Sequence, residues 1–219
     1  MKASTICRSH IVKELRRKGI RRDEKLAIIY WGGLRSKVLL EILYSIESAY
    51  PDVELRVLTD TGYHEHELIK KYPRIKVTQV SLKLPYPTVE ELASNLRELK
   101  LYCTSTGSSM VITPLTLDDL TAIGLVLVLR GAFNLLSSLI NSPMVHPLSH
   151  VELVQIMTIS SELGLKGELE RLIEGDPMVD SVHTNLHKLK ALYSYTPLQL
   201  LKALENLTKM YIDLIPNRA

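Results

Sequence analysis

Gly32, Gly33, Arg35, Ser36 and Lys37 stand together where a strand-like run gives way to a helix-like one, and that grouping suits the capture of an anion. Within Lys25 to Leu43, KLAIIYWGGLRSKVLLEIL, residues Leu26 to Tyr30 are continuously apolar. The run breaks at Gly32-Gly33 and resumes with Val38, Leu39, Ile42 and Leu43 at helical spacing. Adjacent glycines let backbone N–H groups point into the turn, and the following helix adds the positive end of its dipole, so main chain could hold much of a phosphate. An ordinary βα turn carries the same pattern.

Other residues with chemistry are scattered. Asp118 and Asp119 sit where a long apolar helix begins, the end at which carboxylates are favoured. His64 and His66 form an HxH pair, but acidic ligands at useful spacing are lacking, and an exposed helix start accounts for them. Cys7 and Cys103 are far apart and form no CxxC, so neither a disulfide framework nor a zinc knuckle is indicated, and a reducing cytoplasm fits. Arg8, Lys13, Arg16, Arg17, Lys18, Arg21 and Arg22 cluster with only Glu14 and Asp23 nearby. A nucleic-acid backbone would favour such a patch, and a solvated helix face is the alternative.

The elements that must position these residues follow from pattern. The 219 residues are 46% apolar, enough for one large domain or a domain with a helical appendage, and the net charge of +3 says little about partners. The N-terminus lacks the apolar core of a signal peptide, and the most apolar stretch, Leu120 to Ile140, is too short and too flanked by charge to span a bilayer. Residues 4–18 read as a basic helix with Ile6, Ile11, Val12 and Leu15 on one side. Strands are expected at Val53 to Leu58, Ile75 to Leu82 and Met110 to Thr113, with a short helix carrying Glu65, Lys70 and Lys71 between the first two. A helix from Thr88 to Thr106 has Thr88 and Glu91 at capping-box spacing and closes at Gly107. One buried helix is expected from Asp118 to Ile140, covered either within the domain or by another chain, then a turn at Met144 to Leu148. Further helices follow at Ser149 to Leu163, Lys166 to Ile173, Ser181 to Tyr193 and Pro197 to Ile212, the last opened by Thr196-Pro197. The alternation predicts an α/β fold with an open, mostly parallel sheet and helices on both faces over residues 1–145, and a helical extension over 146–219.

Three features in this order resemble the PP-loop ATP pyrophosphatases (adenine nucleotide alpha hydrolase-like), particularly the branch that thiolates tRNA. The family's S-G-G-x-D-S is met by Trp31-Gly32-Gly33-Leu34-Arg35-Ser36, matching at both glycines and the final serine. Its T-G-H-N-x-D-D and L-L-R-G are met by Thr113-Pro114-Leu115-Thr116-Leu117-Asp118-Asp119 and Val128-Leu129-Arg130-Gly131. Its R-P-L segment is met by Met144 to Gly164, MVHPLSHVELVQIMTISSELG, and Cys7-Arg8-Ser9-His10 is similar to the segment before the loop in cytoplasmic tRNA 2-thiolation proteins.

The resemblance implies an ATP site at Gly32, Gly33, Arg35, Ser36, Lys37 and Asp119, with Asp119 the candidate catalytic group. Two departures bear on it. Arg35 stands at the loop aspartate, which removes an acceptor for magnesium and offers a direct phosphate donor, and Trp31 replaces a small hydroxyl residue. The cysteines used by thiolating members for sulfur transfer or for metal are wanting, so Cys103 is read as core and no zinc or iron-sulfur site is expected. The pattern of loss resembles the degenerate second subunit of the 2-thiolation complex: a cytoplasmic protein that binds tRNA and an active PP-loop partner, or pairs with itself. Two alternatives stand beside it. One is an ATP-dependent tRNA-adenylating enzyme with an altered loop, and the other a nucleotide-binding α/β protein unconnected with RNA.

Overall fold

A computed structural model describes residues 2–20, 25–48, 54–60, 65–82, 84–108, 110–141, 143–193 and 196–214. The fold is α/β, built on β1 (Leu26–Tyr30), which is buried along its whole length. A central parallel strand is covered on both faces, which is why its sequence is apolar without alternation. β1 pairs in parallel with β2 (Leu55–Thr59) on one side and β4 (Met110–Ile112) on the other. β3 (Ile75–Gln79) and β5 (Met144–Val145) are the edges, giving the all-parallel order β3-β2-β1-β4-β5. The order reverses between β1 and β4, the position at which an open α/β sheet leaves a crevice at its carboxyl edge.

Side chains of β1 alternate between two cores. Leu26, Ile28 and Tyr30 pack with α1 (Ala3–Arg17), α2 (Leu34–Glu47) and α7 (Leu153–Glu162). Ala27 and Ile29 face α4 (Val89–Ser105), α5 (Leu117–Leu129), α6 (Phe133–Ile140), α8 (Pro177–Leu192) and α9 (Thr196–Leu214). The short α3 (Glu65–Lys71) completes the set. No helix among the described residues is long and apolar enough to cross a membrane.

Several expectations are corrected. α1 buries Cys7, Ile11, Glu14 and Leu15, while Ile6 is 40% exposed, so its inward face is rotated from the one expected. The cap expected at Thr88 is present: its hydroxyl accepts from the Glu91 N–H at 3.2 Å and opens α4. The long apolar helix is two helices. Gly131 adopts φ +70° and the N–H groups of Gly131 and Ala132 return to Val128 O and Leu127 O, a Schellman ending that stops α5. α5 is covered by the chain's own α8 and α9, and Gly124 lets α9 close in, since a Cβ there would lie 2.5 Å from Leu204 Cδ1.

Met144-Val145, expected in a turn, is a fifth strand: Val111 N–H donates to Pro143 O and Thr113 N–H to Val145 O. His146 follows it and is buried. Its Nε2 lies 2.7 Å from Leu139 O and its Nδ1 2.6 Å from Thr113 Oγ1. A carbonyl only accepts, so Nε2 carries the proton and Nδ1 accepts from the threonine hydroxyl. Burial pushes this imidazole down to about 4, the bond to Leu139 opposing only in part.

The largest correction concerns Lys166 to Ile173, expected as a helix. It is an extended strap across the carboxyl edge of the sheet. Leu165 and Leu169 pack on one core and Leu172 and Ile173 on the other. Its backbone bonds go to neighbours: Leu34 N–H to Glu168 O at 2.9 Å, Tyr86 N–H to Leu172 O at 2.8 Å, and Glu174 N–H to Tyr86 O at 2.9 Å.

Candidate functional site

The turn after β1 and the start of α5 after β4 meet at the crevice, and so do the residues they carry. Gly32 has φ +92°, a conformation that L side chains resist. Gly33 has φ −85° and needs its lack of a side chain for room instead: a Cβ there would lie 2.2 Å from Glu170 Cγ. Past it, the first-turn amides of α2 converge on the Glu170 carboxylate. Oε1 accepts from Ser36 N–H at 3.1 Å and from Ser36 Oγ at 2.8 Å, and Oε2 accepts from Arg35 N–H at 3.1 Å. Ser36 Oγ in turn accepts from Trp31 N–H at 3.0 Å, which fixes the hydroxyl.

Arg35 lies between two carboxylates. Its Nε stands 3.1 Å from Asp119 Oδ2 and its Nη2 donates to Oδ1 at 3.3 Å, while Nη1 meets Glu170 Oε2 at 3.4 Å and bonds the Glu170 carbonyl. The Arg35 side chain is 6% exposed, and those of Asp119 and Glu170 4% each. Two buried carboxylates against one guanidinium leave a formal charge of −1, which the α2 amides and helix dipole offset.

Asp119 also closes a capping box at α5: its Oδ2 accepts from Thr116 N–H at 2.9 Å and Thr116 Oγ1 at 2.6 Å. Its neighbour Asp118 accepts from Leu153 N–H at 2.7 Å and ties α5 to α7. Lys37 turns away from the nest and donates to Lys166 O at 2.7 Å. Gly32, Gly33, Arg35, Ser36 and Asp119 are thus brought together, and Lys37 is at the border.

Glu170 was missed by sequence reasoning. Its segment, KGELERLI, has helical composition, and the only cues against a helix were Gly164 and Gly167, which adopt φ of +65° and +149°.

Gly33→Ala should cost about 1–3 kcal/mol, the usual range for overpacking, because Glu170 must leave. In the Glu170→Ala background the same change should be close to neutral. Urea denaturation of the four chains measures this coupling, and additive losses would contradict it.

The set as it stands does not fit a magnesium-bound triphosphate. The nest amides hold Glu170, and the Asp119 oxygens are engaged by Thr116 and Arg35. Nor do the cysteines fit a cluster: Cys7 and Cys103 belong to opposite cores. Burial pushes their thiols up to about 12 and about 11. Alkylation at pH 8 should therefore label neither thiol in the folded chain and both after denaturation, and rapid native labelling would contradict the burial. Among the described residues, no group of three or more His, Cys, Asp or Glu side chains is arranged to hold a metal ion.

The basic helix is partly spent internally. Arg17 pairs with Glu14 at 2.8 Å and with Glu205 at 3.5 Å, and Lys18 is half-buried. Arg8 donates to Ser45 Oγ at 3.1 Å, while Lys13 and Arg16 are exposed. Arg21, Arg22 and His64 lie outside the described residues, as does the His66 side chain. A separate groove of about 810 Å³ opens between α7 and α8, lined mainly by apolar atoms, with Val154 65% and Leu192 74% exposed nearby.

No family model and no curated protein matches this sequence. Among solved structures the chain is similar to the U34-tRNA thiolase NcsA from Methanococcus maripaludis with its 4Fe-4S cluster. The TM-score is 0.75 at 14% identity, over 94% of this chain and 78% of that one. That likeness establishes the fold. A looser one, TM-score 0.48 at 11% identity over 96% of this chain and 94% of the other, is to the NH3-dependent NAD synthetase from Campylobacter jejuni subsp. jejuni NCTC 11168 in complex with nitrate ion.

Proposed function

We propose that this chain is a degenerate PP-loop subunit acting in tRNA wobble-uridine 2-thiolation, binding tRNA and an active PP-loop partner without turning over ATP itself. The observation that carries this reading is the buried Arg35 between Asp119 and Glu170. In-line attack on a nucleotide phosphate needs donors free for the developing charge and a carboxylate free for metal. Here those groups are engaged with one another.

The likeness to a tRNA thiolase supports the RNA side of the reading, as does the exposed basic edge of α1 at Lys13 and Arg16. The apolar α5 no longer supports a partner, because the chain covers it. The exposed apolar residues of α7 and α8 support one instead: Val154, Met157, Leu189 and Leu192.

Two measurements test the proposal together. tRNA should be retained at low salt and released as salt rises, and the chain should copurify with a PP-loop protein that releases pyrophosphate. A lone monomer indifferent to tRNA would overturn it. Pyrophosphate release by this chain alone, above a Ser36→Ala control, would favour the adenylating enzyme.

A further inference from the structure

We propose that Glu170, carried on the strap over residues 165–175, is an intrachain ligand whose side chain holds shut an oxyanion site of the phosphate class. The proposal rests on reading the turn after β1 as a PP-loop nest out of use, and it concerns what keeps that nest closed.

Both carboxylate oxygens are received by groups suited to two oxygens of a phosphate: two consecutive main-chain N–H groups, a hydroxyl and a guanidinium. The glutamate stem passes over Gly33 at a separation no side chain there would permit, so the loop is shaped around the occupant. Charge points the same way. Without Glu170, the Arg35–Asp119 pair is neutral, and two α2 amides with the helix dipole are left wanting one negative group.

The strap is anchored on either side of Glu170 by main chain, at Glu168 O and at Leu172 O, so the side chain can withdraw while its backbone stays. Room for a larger ligand adjoins the nest. A cleft of about 540 Å³ has Arg35, Asp119, Glu170, Arg171, His183 and Thr184 in its lining. A tethered carboxylate acts at an effective concentration of about millimolar or above, so a free anion competes poorly while Glu170 is present.

The test titrates wild type, Glu170→Ala, Glu170→Gln and Glu170→Ala/Ser36→Ala with inorganic pyrophosphate by calorimetry. Parallel arms use phosphate and ATP, and 15N shifts of the Arg35 and Ser36 amides report the site. Wild type should bind pyrophosphate at least tenfold more weakly than Glu170→Ala, and the added Ser36→Ala should remove the gain. ATP binding well above pyrophosphate would mark a nucleotide as the ligand, and equal binding an oxyanion alone. Either supports the site.

Glu170→Gln keeps the size of the side chain and secures the test if alanine impairs folding. Its binding should exceed that of wild type. Equal binding by wild type and a folded Glu170 variant, or none by either, would overturn the proposal. Retention of tRNA by the same chains is read separately, so its loss would strike the proposed function and leave the oxyanion result intact.

Discussion

Replacing Arg35 by alanine is expected to destabilise the fold by about 3–5 kcal/mol, the range for removing one member of a buried ionic set. The guanidinium is the only cation among the described contacts of the Asp119 and Glu170 carboxylates, and all three side chains are withdrawn from water. Without it, two carboxylates face each other in the crevice with helix amides as their remaining compensation. Lysine should rescue little, because a point ammonium cannot serve both sides as a planar fork does. Removing Glu170 as well should recover much of the loss, since the second charge goes with it. Urea denaturation of Arg35→Ala and Arg35→Ala/Glu170→Ala decides the matter, and a loss below about 1 kcal/mol in the single variant, the scale of an exposed pair, would contradict the account.

Acid should remove about 3 kcal/mol of stability through His146 alone. The folded imidazole titrates at about 4, below its ordinary 6.5, chiefly because burial disfavours the charged form. The unfolded chain therefore takes up a proton near 6.5 that the folded chain refuses until about 4. The contribution is whole above pH 6.5, falls by about 1.4 kcal/mol per unit between those values, and is exhausted below pH 4. Carboxylates also titrate near the lower limit, so the informative quantity is the difference between wild type and His146→Gln. That difference should narrow steadily from pH 6.5 to 4, and a constant difference would show that His146 accepts its proton in place.

The central α/β layout was legible because it rests on local rules. An unbroken apolar strand, two glycines and a helical repeat put Arg35 and Ser36 at the tip of β1, and Thr116 and Asp119 fit a helix start. What was illegible depended on tertiary hydrogen bonds. Residues 166–173 have good helix formers, yet their carbonyls are taken by Leu34 and Tyr86 and their glutamate by α2, so intrinsic propensity lost. Likewise Met144-Val145 is too short to show a strand period, and only pairing with β4 makes it one. At Gly131 the signal was present, but the apolar run on both sides hid a Schellman stop.

Glu170 lies 135 residues after Arg35. A ribosome therefore delivers the glycine turn and α2 well before the group that satisfies their leading amides, and a nascent chain extended only through α7 presents those amides to solvent. Domains assemble from the N-terminal side during synthesis, so the pocket is completed only when the strap after α7 arrives and turns an open cradle into a filled one.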